Sequence, residues 1–209
     1  MSIRYFILFL LMNSCLATQS NCHKVITLES NNTAVIEGEI TDSMASVFVT
    51  RIHSIFDMNI YVYIRSGGGS VPAGMRMANA IDYVQANYKT VHCVVDHAYS
   101  MAFHILQHCK KRYIVPNGRI MQHQISITIS EQIYNLKKYM HIIESVYSDM
   151  MKYESNRLGM SITDYSKQTE HDWWEYGTGA INSKMVDCTA IIGCSKSFIL
   201  DINSVKCPV

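Results

Sequence analysis

A chain of 209 residues, 48% of them apolar, is long enough for one domain with a sizeable core. Its formal net charge of +1 leaves neither a basic face for nucleic acid nor an acidic tail. With three prolines, no low-complexity tract and no internal repeat, nothing marks a linker between domains.

The first seventeen residues stand apart. Arg4 gives a short positive start, Tyr5 to Met12 is an unbroken apolar run, and Cys15 and Ala17 fall at the −3 and −1 positions of a cleavage site. This predicts a secretory signal over 1–17, too short to span a bilayer. The alternatives are a first apolar strand, an uncleaved anchor or a lipid-modified Cys15. Six cysteines remain after Cys15: Cys22, Cys93, Cys109, Cys188, Cys194 and Cys207. An even number fits disulfides in an oxidising compartment, although Cys93 reads equally well as a buried thiol. Asn31-Asn32-Thr33 is a glycosylation sequon. Together these features predict a secreted or lumenal protein with no membrane span after cleavage.

From there, Thr33 to Ile40 reads as a strand. Thr41 and Asp42 offer caps for a helix to about Ile55, with Met44, Val47, Phe48, Ile52 and Ile55 on its apolar face. Asn59 to Ile64 alternates as a buried strand and runs into Gly67-Gly68-Gly69, after which Val71 to Asn87 reads as a helix. Thr90 to Val95 is a strand, followed by a short helix from Ser100 to His108. Tyr113 to Val115 and Arg119 to Gln122 read as two strands split by a Pro116-Asn117-Gly118 turn. Glu131 to Leu158 is a long helix stopped by Gly159, and Ser161 caps a smaller one. Strands alternating with helices predict an α/β domain with a mainly parallel sheet.

Four fragments carry chemistry. The glycine loop lacks the lysine and hydroxyl of a phosphate loop and the spacing of a dinucleotide fingerprint, which leaves an oxyanion-binding turn or a mere turn. Ser100 opens a helix straight after a strand, where the helix end and the Met101 N–H favour a developing oxyanion; serine is also a common N-cap. His123 ends a strand, and nine histidines in the chain make an ordinary turn histidine a fair competing reading. Asp172 precedes Trp173-Trp174, whose rings would shield it; Glu170 and Asp187 compete for the same orienting role.

From Glu37 to Asp187 the chain resembles the proteolytic subunit of the Clp protease family. The matching stretches are Ile36 to Asp42, Ile60 to Val71 with Ala73-Gly74-Met75, Ala98-Tyr99-Ser100-Met101, Met121-Gln122-His123-Gln124, and on through Asp172 to Asp187. The resemblance implies the fold shared with crotonases, of repeated β-β-α units with a mainly parallel sheet and a long handle helix. It implies domain limits of 18–187, with 188–209 as a cysteine-rich tail.

It also implies a serine endopeptidase, with Ser100 as nucleophile, His123 as base and Asp172 as the residue fixing its tautomer. Gly69 and Met101 would form the oxyanion hole, and Gly68, Ser70 and Ile125 would touch substrate. No metal or other cofactor is implied. Its partners would be peptides or unfolded chains, further copies in a heptameric ring, and a hexameric ATPase that an exported form would lack. The family has proline at Gly67, usually glycine at Ala102, and proline after His123-Gln124, where this chain runs Ile125 to Ile129. Three other readings remain: a non-catalytic ring or scaffold subunit, a serine–lysine protease using Lys137 or Lys138, and a crotonase-type acyl-CoA enzyme needing no nucleophile at Ser100.

Overall fold

A computed structural model of the chain describes residues 22–127 and 132–201. The signal segment 1–17, Cys207, Thr128, Ile129 and Glu131 lie outside them. Among the described residues, seven strands form one sheet in the order β1-β7-β5-β4-β3-β2, with β6 paired to β5 off this path. The strands are β1 (His23–Leu28), β2 (Thr33–Glu37), β3 (Asn59–Ser66), β4 (Thr90–Tyr99), β5 (Lys111–Gln122), β6 (Trp173–Tyr176) and β7 (Cys188–Cys194). Every pairing is parallel except β5 with β6. The helices are α1 (Asp42–Ser54), α2 (Val71–Ala86), α3 (Met101–His108), α4 (Ile133–Leu158), α5 (Ile162–Gln168), α6 (Gly179–Asn182) and α7 (Lys196–Asp201).

Alternation along the strands divides the apolar residues between two faces. Ile60, Val62 and Ile64 of β3 join Val91, Cys93 and Val95 of β4 under α1 to α4. Tyr63 and Val94 point the other way, into a smaller cluster with Ile26, Leu28, Tyr113, Ile192 and Phe198. The Tyr63 phenol is pushed well above its ordinary range, chiefly by burial and then by Asp96.

Local chemistry sets the helix ends. The Thr41 side chain accepts from the Met44 N–H, and the Ser161 side chain from the Asp164 N–H. Gly159 ends the 26-residue α4 in a left-handed conformation, φ 66°. No helix among the described residues is long and apolar enough to cross a membrane.

Several expectations are corrected. The first predicted strand ends at Glu37, because Gly38 takes φ 87°. Val47 is exposed, and Ala45, Phe48 and Ile52 make the buried face of α1. The two short strands are one, β5: its partner β4 shifts register between Val95 and His97, and Pro116-Asn117-Gly118 bulges without ending the strand. Residues 188–194, expected in a tail, form β7 inside the sheet, beside β1. Disulfides join Cys22 to Cys188 and Cys93 to Cys109, and Cys194 is disulfide-bonded as well. The sequon lies in the turn between β1 and β2, with Asn31 exposed and the Thr33 hydroxyl donating to Asn32 Oδ1 at 2.9 Å.

Candidate active site

β3, β4 and β5 are neighbours running in the same direction, so their carboxyl ends meet on one edge of the sheet. The glycine loop leaves β3 there, Ser100 follows β4, and His123 follows β5. The Ser100 N–H donates to the Met121 carbonyl at 2.9 Å, which ties the serine turn to the strand carrying the histidine.

Ser100 sits at φ 54°, ψ −122°, a strained conformation for a residue with a side chain, and its hydroxyl makes no capping bond to α3. Ser100 thus holds the N-cap position of α3, its carbonyl accepting from the Phe103 N–H at 2.9 Å, while its hydroxyl does no capping. Ser70 behaves in the opposite way: its hydroxyl accepts from the Ala73 N–H at 3.3 Å, and its own N–H donates to the Ile40 carbonyl at 2.9 Å.

The loop is shaped by close approach. A Cβ on Gly68 would lie 2.9 Å from Ser100 Cβ and 3.1 Å from Met101 N, and one on Gly69 would lie 2.5 Å from the Ile40 carbonyl oxygen. Gly68 spends its polar groups inside the loop, its N–H on Ser66 Oγ and its carbonyl on the Ile40 N–H. Among the described residues, no hydrogen bond engages the Gly69 or Met101 N–H. Met101 opens α3, where main-chain donors lack helical partners.

A narrow pocket of about 80 Å³ gathers these groups: Gly69, Ser100, Met101, His123 and Ile125 line it, closed on the α4 side by Tyr147, Met150 and Glu154. Burial raises the Tyr147 phenol above its usual range. Ile125 also lines an adjoining apolar groove with Val71, Pro72, Tyr139 and Ile142. Asp172 lies elsewhere. It is exposed, not shielded by tryptophan, and lines a wider depression with His171, Asp164 and Lys167. The β5–β6 register pairs Gln122 with Trp173, so its next step would set His123 opposite Asp172. Among the described residues, no hydrogen bond joins the His123 ring to Ser100 or to Asp172.

The competing residues are engaged or distant. Asp187 accepts from the Arg112 guanidinium at 2.6 Å and from the Arg112 N–H at 2.8 Å. Glu170 is exposed, as are Lys137 and Lys138 on α4, the latter with its ammonium 5.0 Å from the Tyr134 ring centre. Neither lysine lines the Ser100 pocket. Among the described residues, no group of three or more His, Cys, Asp or Glu is placed to hold a metal ion.

Sequence reasoning missed a buried polar cluster behind the pocket. Glu154, 1% exposed, accepts from His104 Nδ1 at 2.7 Å, from Gln122 Nε2 at 3.0 Å and from the Tyr165 hydroxyl. Its only signal in the sequence is an acid in the row Met150, Glu154, Leu158, one helical turn apart.

The profile of the Clp protease family matches residues 18–190, well over half of the chain. The chain belongs to the Clp protease family. Membership accounts for the mainly parallel α/β sheet and makes the chain a serine peptidase of the Clp type, in a family whose members are typically oligomeric and act on peptides. The match runs through the glycine loop, Ser100, His123 and Asp172, and covers β1 and the start of β7 as well.

Proposed function

We propose that this Clp-family peptidase cleaves peptide bonds with Ser100 as nucleophile, His123 as general base and acid, and Asp172 as the residue that orients the imidazole. The observation that carries the reading is Ser100 itself: a strained serine whose hydroxyl makes no capping bond, lining one pocket with His123, Gly69 and Met101. Ser100 Oγ attacks the scissile carbonyl carbon while His123 takes its proton, and the tetrahedral oxyanion is held by the Gly69 and Met101 N–H groups. The intermediate collapses as His123 returns that proton to the leaving amine. Water then frees the acyl group by the same route. Hydrogen bonds of such sites are often long in ligand-free enzymes and tighten once substrate is bound. The β5–β6 register supports Asp172 as the third member.

The substrate in this reading is an extended peptide or unstructured chain, laid over Ile125 and the apolar groove beside it. Ile133, Tyr134, Tyr139 and Ile142 expose apolar surface along α4, which favours a homo-oligomer, in the family manner a heptameric ring. The disulfides favour an oxidising, secretory compartment, where the enzyme would work without an ATPase.

The test is labelling by a fluorophosphonate probe, with hydrolysis of a fluorogenic peptide and native mass. Wild-type protein is expected to label and to cleave without ATP, and Ser100→Ala to do neither. Equal labelling of Ser100→Ala would end the proposal, and an assembled ring that never labels would favour a non-catalytic scaffold.

A further inference from the structure

We propose that Glu154 is a positioning residue for His123 and acts through Gln122; this rests on the Ser100–His123 reading above. A carboxylate so far from water persists only when its oxygens are hydrogen-bonded. Glu154 Oε2 accepts from Gln122 Nε2 at 3.0 Å and from the Tyr165 hydroxyl, and Oε1 accepts from His104 Nδ1 at 2.7 Å. The opposite end of the same Gln122 amide is also in use: its Oε1 accepts the His123 main-chain N–H at 3.2 Å. The amide thus has a fixed orientation, because turning it over would set its carbonyl against the carboxylate and its NH₂ against an N–H.

His123 lies one residue beyond the last paired position of the β5–β6 ladder, at Gln122 and Trp173. Where the ladder stops holding the strand, the Gln122 amide takes over. Glu154 is the anchor of that tie, and it lines the pocket into which Ser100 and His123 open.

The anchor is itself braced. His104 Nε2 meets His108 Nε2 at 3.2 Å, and His108 Nδ1 reaches Asp82 Oδ2 at 2.8 Å, so a chain of polar groups runs from a half-exposed acid on α2 to the buried one on α4. The Tyr165 phenol, pushed far above its usual range by burial and next by Glu154, keeps its proton and serves as a constant donor. Buried ionic networks often add little net stability over apolar packing, so stability alone gives no reason for this one. A role in holding the catalytic histidine does.

The test uses the full chain and a double-mutant cycle of Gln122→Met and Glu154→Met, with Glu154→Gln as the conservative change. Read out are the rate of Ser100 acylation by a fluorophosphonate and kcat and KM on an unstructured fluorogenic peptide. Misplacing a catalytic group by an ångström costs on the order of 100-fold, so each Met variant is expected to lose about 10- to 100-fold in kcat and acylation rate. KM should stay within about 3-fold, and the double variant should be no slower than the slower single one, because the two residues act as one tie. Glu154→Gln, whose amide oxygen still accepts from Gln122, should stay within about 5-fold of wild type on the same reasoning.

Wild-type rates in Gln122→Met overturn the proposal, as do losses that multiply in the double variant or that fall on KM alone. Should Glu154→Met fail to fold, Gln122→Met and Glu154→Gln decide alone. Absence of labelling in the wild-type chain would instead sink the underlying peptidase reading, before any variant is compared.

Discussion

Gln122 faces Trp173 across the antiparallel β5–β6 ladder, and the same register carried one residue further sets His123 opposite Asp172. Directly opposed residues on antiparallel strands lie about 5 Å apart at Cβ, within reach of an imidazole and a carboxylate. Asp172→Asn should therefore lower kcat by about 10³- to 10⁴-fold, since the amide fails to hold the imidazole in its working tautomer. Lys137→Ala and Lys138→Ala should leave kcat within about 2-fold, as both lie on the exposed face of α4. Steady-state hydrolysis of a peptide substrate checks both; a loss with a lysine and none with Asp172 would transfer the base to α4.

The glycines of the loop are not equivalent. A Cβ at Gly67 meets nothing within 4 Å, whereas one at Gly68, at φ 92°, presses on Ser100 and Met101. Gly68→Ala is expected to cut the acylation rate by about 10²- to 10³-fold, the scale of losing an oxyanion donor. Gly67→Ala should stay within about 2-fold, as an open surface position. Equal rates in the two variants would show that the loop does not shape the site.

The two pairings of known partners close loops of very different size, 166 and 16 residues. On chain entropy the longer is worth about 5 kcal/mol and the shorter about 3 kcal/mol. Replacing both members of the Cys22–Cys188 pair with serine should lower Tm by about 10–20 °C, and doing so for Cys93–Cys109 by about 6–12 °C. Thermal unfolding of the oxidised proteins gives the order. The reverse order would mean that the pairs act on native packing more than on the unfolded chain.

His92 gives a prediction for pH. Burial first, and then the Lys111 charge, hold its folded-state pKa below the ordinary value, while its ring stacks between Tyr61 and Tyr113. The unfolded chain then binds the proton more readily than the folded one. The favourable contribution of neutral His92 is complete above about pH 6.5 and is lost as pH falls through the lowered pKa. His92→Gln should lose less stability than wild type between pH 7.5 and pH 5 in urea unfolding, about each protein's own pH 7.5 value. Parallel losses in the two proteins would exclude His92 as a contributor.

The strand–loop–helix units that present Ser100 and the glycine loop were legible because short-range chemistry writes them: alternation in β3, a glycine run that must turn, and a serine placed between a strand and a helix. That Ser70 caps α2 and that a side chain at Gly68 would strike the serine turn were visible only in the structure. The His123 end of the site was legible through its motif. What escaped was non-local. Trp173 to Tyr176 drew no strand assignment from the sequence, because four residues become a strand only where β5 offers them a partner. Cys188 to Cys194 reads as a tail until β1 and a disulfide place it in the sheet. The partnership of Gln122 with Glu154 spans 32 residues and obeys no local period, so no window of sequence contains it.

The Cys22–Cys188 bond ties the start of β1 to the start of β7, on adjacent parallel strands near both ends of the described chain. A polypeptide closed in this way survives being nicked. One backbone cut anywhere between residues 22 and 188 leaves both pieces on a single covalent molecule. Damage to an exposed turn would therefore open a ring of chain instead of shedding half the protein.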